Sequence, residues 1–572
     1  IIRVQSGTFL VEGTSSEQLV DVVIQSSSEM ENLKGFTLTN IRMLEMEEGS
    51  KIEMTETFQV TEANLHTLFM NCSSELTGRN VTIVDIYSIT LASNAAIHTD
   101  ARGHSTSSEP GYGCEYNGQD GWAYRSRWGG AHGGNGGTGR QGSCTSGQTV
   151  YGDKDVPVTM GGGAVNVKGG GVIRLNVSGL LTMDSTSRIS ANGGTAGDRA
   201  GGAGGSVWIR SNVVDLASDA VLSVKGGDGS HGTHYENRGQ RYYNHAGGGG
   251  GRMLLEIGAA ANNNTLSTTI HVNGGVKGTS HSGASDANGG SFVLKGILDK
   301  TIVFHLRSES SFKTMTSFDL YNVHTFSTLA AASLSLVSSM SLRGLVHVQM
   351  DIGSKIEGAV AAVAATTIDI ESFRMETGLN CVLKSNTIQL QVVSAKLGGG
   401  TSVHSDSWSK GTVIFNIDNK LELEAAARIS SDQGGSVRLV AGAWSASRTS
   451  ILSGLGGRTA EESGHQSVSI AIPSGTIEAI IRVQSGTFLV EGTDSAKTVE
   501  VIIQQSSQTE NLKGFTLKNI RMLQLEQNAK IEMTETFDVI QSNLHVVSML
   551  SSSVLTGRDL SIGVINITLA SS

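Results

Sequence analysis

Residues 172–194 read VIRLNVSGLLTMDSTSRISANGG, and the same plan returns at 206–227, 253–275, 413–435 and 436–457. Each of these units closes on a glycine pair, and 81–103 is a looser example ending in DARG. Within the first, Ile173, Leu175 and Val177 alternate with Arg174, Asn176 and Ser178; Leu181 with Met183 and Ile189 with Ala191 continue the alternation. A period of two marks strands with one buried face. Three such runs per unit, bounded by Gly, Asn, Asp and Ser, describe one three-sided coil of a parallel β-helix. Antiparallel hairpins are the rival, but they require tight turns and no fixed register of this length.

Length varies only between units. The inserts are 104–171, 195–205, 228–252, 276–290, 398–412 and 458–466, the first far longer than the rest. Constant coils with variable loops are what a solenoid permits, because each coil contacts mainly its neighbours. The pattern is looser elsewhere. Gly49-Ser50-Lys51-Ile52-Glu53 recurs as Gly353-Ser354-Lys355-Ile356-Glu357, and 292–397 reads as uninterrupted coils. Within it, AVAAVAA at 359–365 fits a tightly turned coil better than a short helix.

A second, longer period encloses the first. Residues 1–94 and 480–572 open with the same fourteen letters, IIRVQSGTFLVEGT, and share NLKGFTL, NIRML, KIEMTETF and LTGR at an offset of 479, broken late by one deletion. The copies have diverged, as at Cys72 and Ser551. The expected organisation is therefore coils at 1–103, a glycine-rich insert at 104–171, coils with the shorter inserts over 172–479, and a second copy from 480. About 15 coils fill one period, which at roughly 4.8 Å per coil would run on the order of 70 Å. Right-handed crossovers are the expectation for parallel strands.

Composition narrows the function. Charged residues are 16% and proline numbers only 3 against 73 glycines, which excludes a charge-rich disordered chain and collagen. A net charge of −10 offers no electrostatic case for nucleic acid or an anionic membrane, and no apolar run reaches the ~18 residues of a membrane span. The glycine runs lack a following Gly-Lys-Ser/Thr, so they are not phosphate loops. They suit close backbone approach or extended glycine packing between inserts. Carboxylates are dispersed and no Ser/His/Asp or Cys/His motif appears, so no enzyme is expected. No cofactor or metal is expected either; the HGTH spacing of His231 and His234 lacks the rest of a zinc set.

Special residues gather in the inserts. Tyr112, Tyr116, Trp122, Tyr124, Trp128, Tyr235, Tyr242 and Tyr243 are candidates for contact with another copy of the chain or with glycans, since such rings offer large contact area at low entropic cost. Alternatively they fold back over the rod's own flank. Cys114 and Cys144 are placed to close the long insert as a disulfide in an oxidising compartment. Asn71, Asn80, Asn176, Asn263 and Asn566 begin N-glycosylation sequons, and alternation turns Asn80, Asn176 and Asn566 outward.

The unit ending ISANGG, followed by a glycine-rich stretch and a new strand (GGAGGSVWIR, AGGGGGRMLLEI), resembles the large glycine-rich cell-surface proteins of algae, other protists and plants. The likeness covers about 81–290 and, more weakly, 413–457. It implies an extracellular β-helical architecture with a structural or adhesive role. The expectation is a self-assembling or continuously repeating extracellular filament or flagellar hair-like appendage, with a glycan-binding surface adhesin as the alternative.

Overall fold

The structure is a computed structural model. It describes the chain apart from 1–6, 13–19, 40, 61–64, 118–124, 140–148, 196–198, 237–238, 262–264, 279–283, 298–301, 309, 311, 330, 351–353, 359–364, 376–381, 386, 398–400, 406–411, 424–426, 432–435, 447–450, 455–465, 473–474, 485, 493–498, 504–506, 541–543, 557–558, 561–565 and 570–572. The 359–364 stretch, expected as a tight coil, therefore lies outside the described residues. The described residues are all strand, turn and extended chain, without helix, and divide into two compact units, Ile1–His324 and Thr325–Ser572.

In the first unit strands pair in parallel with the strand one repeat onward. Asn80–Leu91, Val172–Met183, Ser206–Leu216, Arg252–Ala260, Gly289–Gly296 and Phe312–Tyr321 follow one another this way. Their registers stack like residues over like. Phe36, Phe58, Val81, Ile173, Val207, Met253, Phe292 and Phe318 form one column, each at most 2% exposed. Met30, Ile52, Leu76, Ile97, Ile189, Leu222 and Ile270 form another, each at most 1% exposed. Alternation places these residues inside while Arg174 and Ser178 stay exposed.

The second column tests the coil reading against the chain's own arithmetic. Ile97 is followed in it by Ile189, Leu222 and Ile270, at successive offsets of 92, 33 and 48 along the chain. With the intervening inserts 104–171, 195–205 and 228–252 left out, the offsets fall to 24, 22 and 23. Inserts are thus looped out without disturbing register.

One corner is built the same way repeatedly. At 25–28, 47–50, 71–74, 92–95, 184–187 and 217–220 the amide of the fourth residue donates to the carbonyl of the first. The third residue is left-handed at Ser27, Gly49, Ser73, Asn94 and Thr186, with φ between 59° and 68°. The fourth is small and buried: Ser28, Ser50, Ser74, Ala95, Ser187 and Ala220 are at most 1% exposed. Only a small side chain fits where coils turn on one another.

The second unit repeats the parallel pattern through Ala365–Met375, Thr387–Leu397, Thr412–Leu423, Ser436–Ala446, Gln466–Ile472, Gly486–Gly492, Gln508–Lys518 and Lys530–Ile540. Its final part is the second sequence copy, and the two copies keep one register. Phe9↔Phe36 and Phe36↔Phe58 in the first correspond to Phe488↔Phe515 and Phe515↔Phe537 in the second. The left-handed Gly49 is replaced by Asn528 at φ 62°, the residue type that best tolerates that conformation after glycine. The late deletion falls between two paired segments, at the corner carrying left-handed Asp85, so Ser88–Leu91 and Asn566–Leu569 still pair equivalently.

Candidate functional site

Among the described residues, antiparallel pairing between strands occurs only inside the inserts, where Glu115–Asn117 pairs with Arg125–Arg127 and His231–Glu236 with Gly239–Asn244. The expected insert at 398–412 is not one throughout: Ser402–Ser405 is a strand of the coils, paired in parallel with Val382–Ser385 and Arg428–Ser431. In the first unit the remaining described insert chain is largely glycine-rich and extended, and its amides bond to other inserts and to the coil ends beside them. Gly248 and Gly251 donate to Gly227 and Val224, Gly249 to Gly130, and Gly250 to Asn288. Gly201 and Gly204 donate to Ala246 and Gly249, Gly202 and Gly205 to Gly194 and Ala191, and Ala203 to Gly162. Residues three apart thus address the same neighbour. That is the symmetry of an extended helix with three residues per turn, which has no internal hydrogen bonds and must bond outward.

Such packing leaves no room for a side chain. A Cβ on Gly129 would lie 1.8 Å from the Gly247 carbonyl oxygen, and one on Gly290 only 1.7 Å from that of Gly251. The expectation of extended glycine packing between inserts describes this body well.

Polar side chains pin the body to the coils. A strap from Tyr151 to Met160 runs over strands of several coils. Arg252, 5% exposed, donates to the Tyr151 carbonyl from Nε (3.0 Å) and Nη2 (2.7 Å), and to Ser291 Oγ from Nη1 (3.1 Å). Ser206 Oγ donates to the Thr159 carbonyl at 2.6 Å, Lys295 pairs with Asp155 at 2.8 Å, and Lys154 pairs with the buried Asp319. Leu254 and Val293, on the side where alternation would leave them wet, are fully buried beside these contacts.

His132 sits at the centre, fully buried, its Nδ1 2.8 Å from the Gly204 carbonyl and its Nε2 2.8 Å from Thr159 Oγ1. Burial, and then the Arg252 charge, push its pKa down to about 3. Neutral His132 therefore donates from Nδ1 and accepts the Thr159 hydroxyl. Burial also pushes the Tyr151 phenol up, so it stays protonated and donates to the Met160 carbonyl at 2.5 Å. At the edge, burial would raise the Glu109 carboxyl. The Thr106 and Ser105 amides and His104 outweigh it and hold the group down at about 2.

The predicted residues divide accordingly. Trp128, 6% exposed, lies within the glycine body, and Tyr112 is half-buried. Tyr116, Tyr235, Tyr242 and Tyr243 fall in the insert hairpins, where only the backbone is described; Trp122 and Tyr124 lie outside the described residues. Cys114 is disulfide-bonded, Cys72 is free, and Cys144 lies outside the described residues. Asn71 is half-buried and donates to Glu45 Oε1 at 3.0 Å, Asn80 accepts from Thr82 at 3.0 Å, and Asn176 donates to Asp85 at 3.3 Å. Asn176 stands between buried Leu175 and Val177, as alternation requires. Asn566 lies in its strand with only the backbone described, and Asn263 lies outside the described residues.

Sequence reasoning missed Arg252 and His132 as pins. Arg252 was hidden because it closes an insert and opens a strand. No helix among the described residues is long and apolar enough to cross a membrane, and no three His, Cys, Asp or Glu side chains there are grouped to hold a metal ion. No protein-family model matches the chain, no curated protein matches its sequence, and no solved structure matches its fold.

Proposed function

We propose that the chain is a right-handed parallel β-helix that serves as the repeating unit of an extracellular filament. The observation that carries this reading is the return of one register at an offset of 479, with coils between the copies kept in step despite inserts as unequal as 104–171 and 458–466. Stacked parallel ladders with continuous apolar columns resist bending and stretching along one axis, which suits a load-bearing or spacing element. Exposed strand edges at the end of such a stack invite further pairing, and continuation into another copy satisfies them. The disulfide at Cys114 and the half-buried, outward sequons at Asn80 and Asn176 favour an oxidising, extracellular setting.

The self-covering of Trp128 and the inward hydrogen bond of Tyr151 support a scaffold more than an aromatic glycan platform on the first insert. Electron microscopy of the chain at rising concentration tests the proposal. Filaments with an axial repeat set by one long sequence period are expected. A population that stays monomeric at all concentrations, with its strand circular dichroism intact, would overturn it.

A further inference from the structure

The two copies allow each exposed residue to be asked whether it survived divergence. At the turn corner many did not: exposed Ser26, Glu29, Glu48 and Cys72 and half-buried Asn71 and Glu75 became Gln505, Gln508, Gln527, Ser551, Leu550 and Val554. At the next corner they did. Asn32, Lys34, Thr55 and Glu56 are exposed, and all four are unchanged as Asn511, Lys513, Thr534 and Glu535. The fold accounts for two of these. Asn32 is left-handed at φ 53°, and Thr55 Oγ1 donates to the Leu33 carbonyl at 3.0 Å.

Lys34 and Glu56 have no such explanation. Several charged residues retained elsewhere have partners within the chain: Arg42 pairs with Asp21 as Arg521 does with Glu500, Lys51 with Glu53 as Lys530 with Glu532, and Glu47 accepts from Ser26. Lys34 and Glu56 form no ion pair with a described residue. Yet the register sets them side by side on adjacent coils, between Leu33↔Met54 and Gly35↔Thr57. The second copy repeats that register through Leu512↔Met533 and Gly514↔Thr536. An exposed cation and anion, kept together and left unpaired, form a surface whose electrostatic complement is itself.

We infer that this corner is a lateral contact between two copies of the chain, related by a twofold axis that sets Lys34 of one against Glu56 of the other and the reverse. An isologous contact needs such a self-complementary patch. One exposed ion pair is weak, but the patch recurs in each period, so pairing strengthens with the number of periods held in parallel. The inference rests on the repeating-filament reading and adds its sideways partner.

The test uses the whole chain, in sedimentation and electron microscopy at low and high salt. The wild type is expected to pair side by side at low salt and separate at high salt. Lys34→Glu with Lys513→Glu should weaken pairing by about tenfold or more, and adding Glu56→Lys with Glu535→Lys should restore it. Strand circular dichroism verifies that each variant folds. Wild-type chains that never pair, pairing untouched by the charge reversal, or no rescue by the exchange would overturn the contact. Filaments that elongate singly would remove this contact and leave the filament standing. Paired but non-elongating particles would do the opposite.

Discussion

His132 shows how much can hang on one side chain. It joins the glycine body, through Gly204, to the strap, through Thr159, and burial beside Arg252 disfavours its charged form. Its folded pKa of about 3 lies below the ordinary value of 6.5, so the unfolded chain binds the extra proton between those limits. Stability supplied by His132 is complete above pH 6.5 and is lost as pH falls towards 3, at about 1.4 kcal/mol for each pH unit. Hydrogen exchange of the Gly201–Gly204 amides at pH 7 and pH 5 should show this loss, and His132→Gln should flatten it. His271, also held below its ordinary value by burial, adds a loss of its own as pH falls below 6.5 and makes that variant the necessary control. Glu109 acts lower, between its ordinary 4.5 and about 2. None of this was legible beforehand, because a histidine among glycines in text says nothing about which distant carbonyl it meets.

At the scale of elements, the strands were legible and the corners partly so. Val172–Met183 buries the residues that alternation selects, because a strand's two faces are fixed by its period. The corner motif was visible as Gly-Ser-Lys-Ile-Glu, but not its reason. Ser50 is fully buried and its hydroxyl has no hydrogen-bond partner, and the second copy carries Ala529 at that place. Ser50→Ala should therefore raise stability by about 1 kcal/mol, since an unpaired buried hydroxyl is removed at no cost in volume. Ala95→Leu at the equivalent position should lower it by about 1–3 kcal/mol through overpacking. Urea unfolding midpoints of the two variants, measured against wild type, check both signs. Among the described residues the hairpin rival survives only within inserts, as at His231–Asn244, where no neighbouring coil imposes a parallel partner.

At the scale of each unit, coils and inserts are separable constructions. Deleting 195–205 removes the partners of Gly130 and Gly249 in the glycine body but restores an offset of one coil between Ile189 and Leu222. Amides of Val172–Met183 and Ser206–Leu216 should then keep their exchange protection, while those of Gly130 and Gly227, whose acceptors Gly201 and Gly202 are removed, lose it. Loss of protection in both would show that the coils depend on their inserts. What the sequence determined alone was everything local or periodic: the strands, their buried faces, the near-constant parallel step from coil to coil and the long-period return of the opening segment. Periodicity carries that information because each coil repeats the same constraint on its neighbour. What only the tertiary structure decided was how the inserts meet. A glycine has no side chain to prescribe a partner, so the threefold pattern of its amides, the strap held by Arg252 and the burial of Trp128 follow from distant segments finding one another in space.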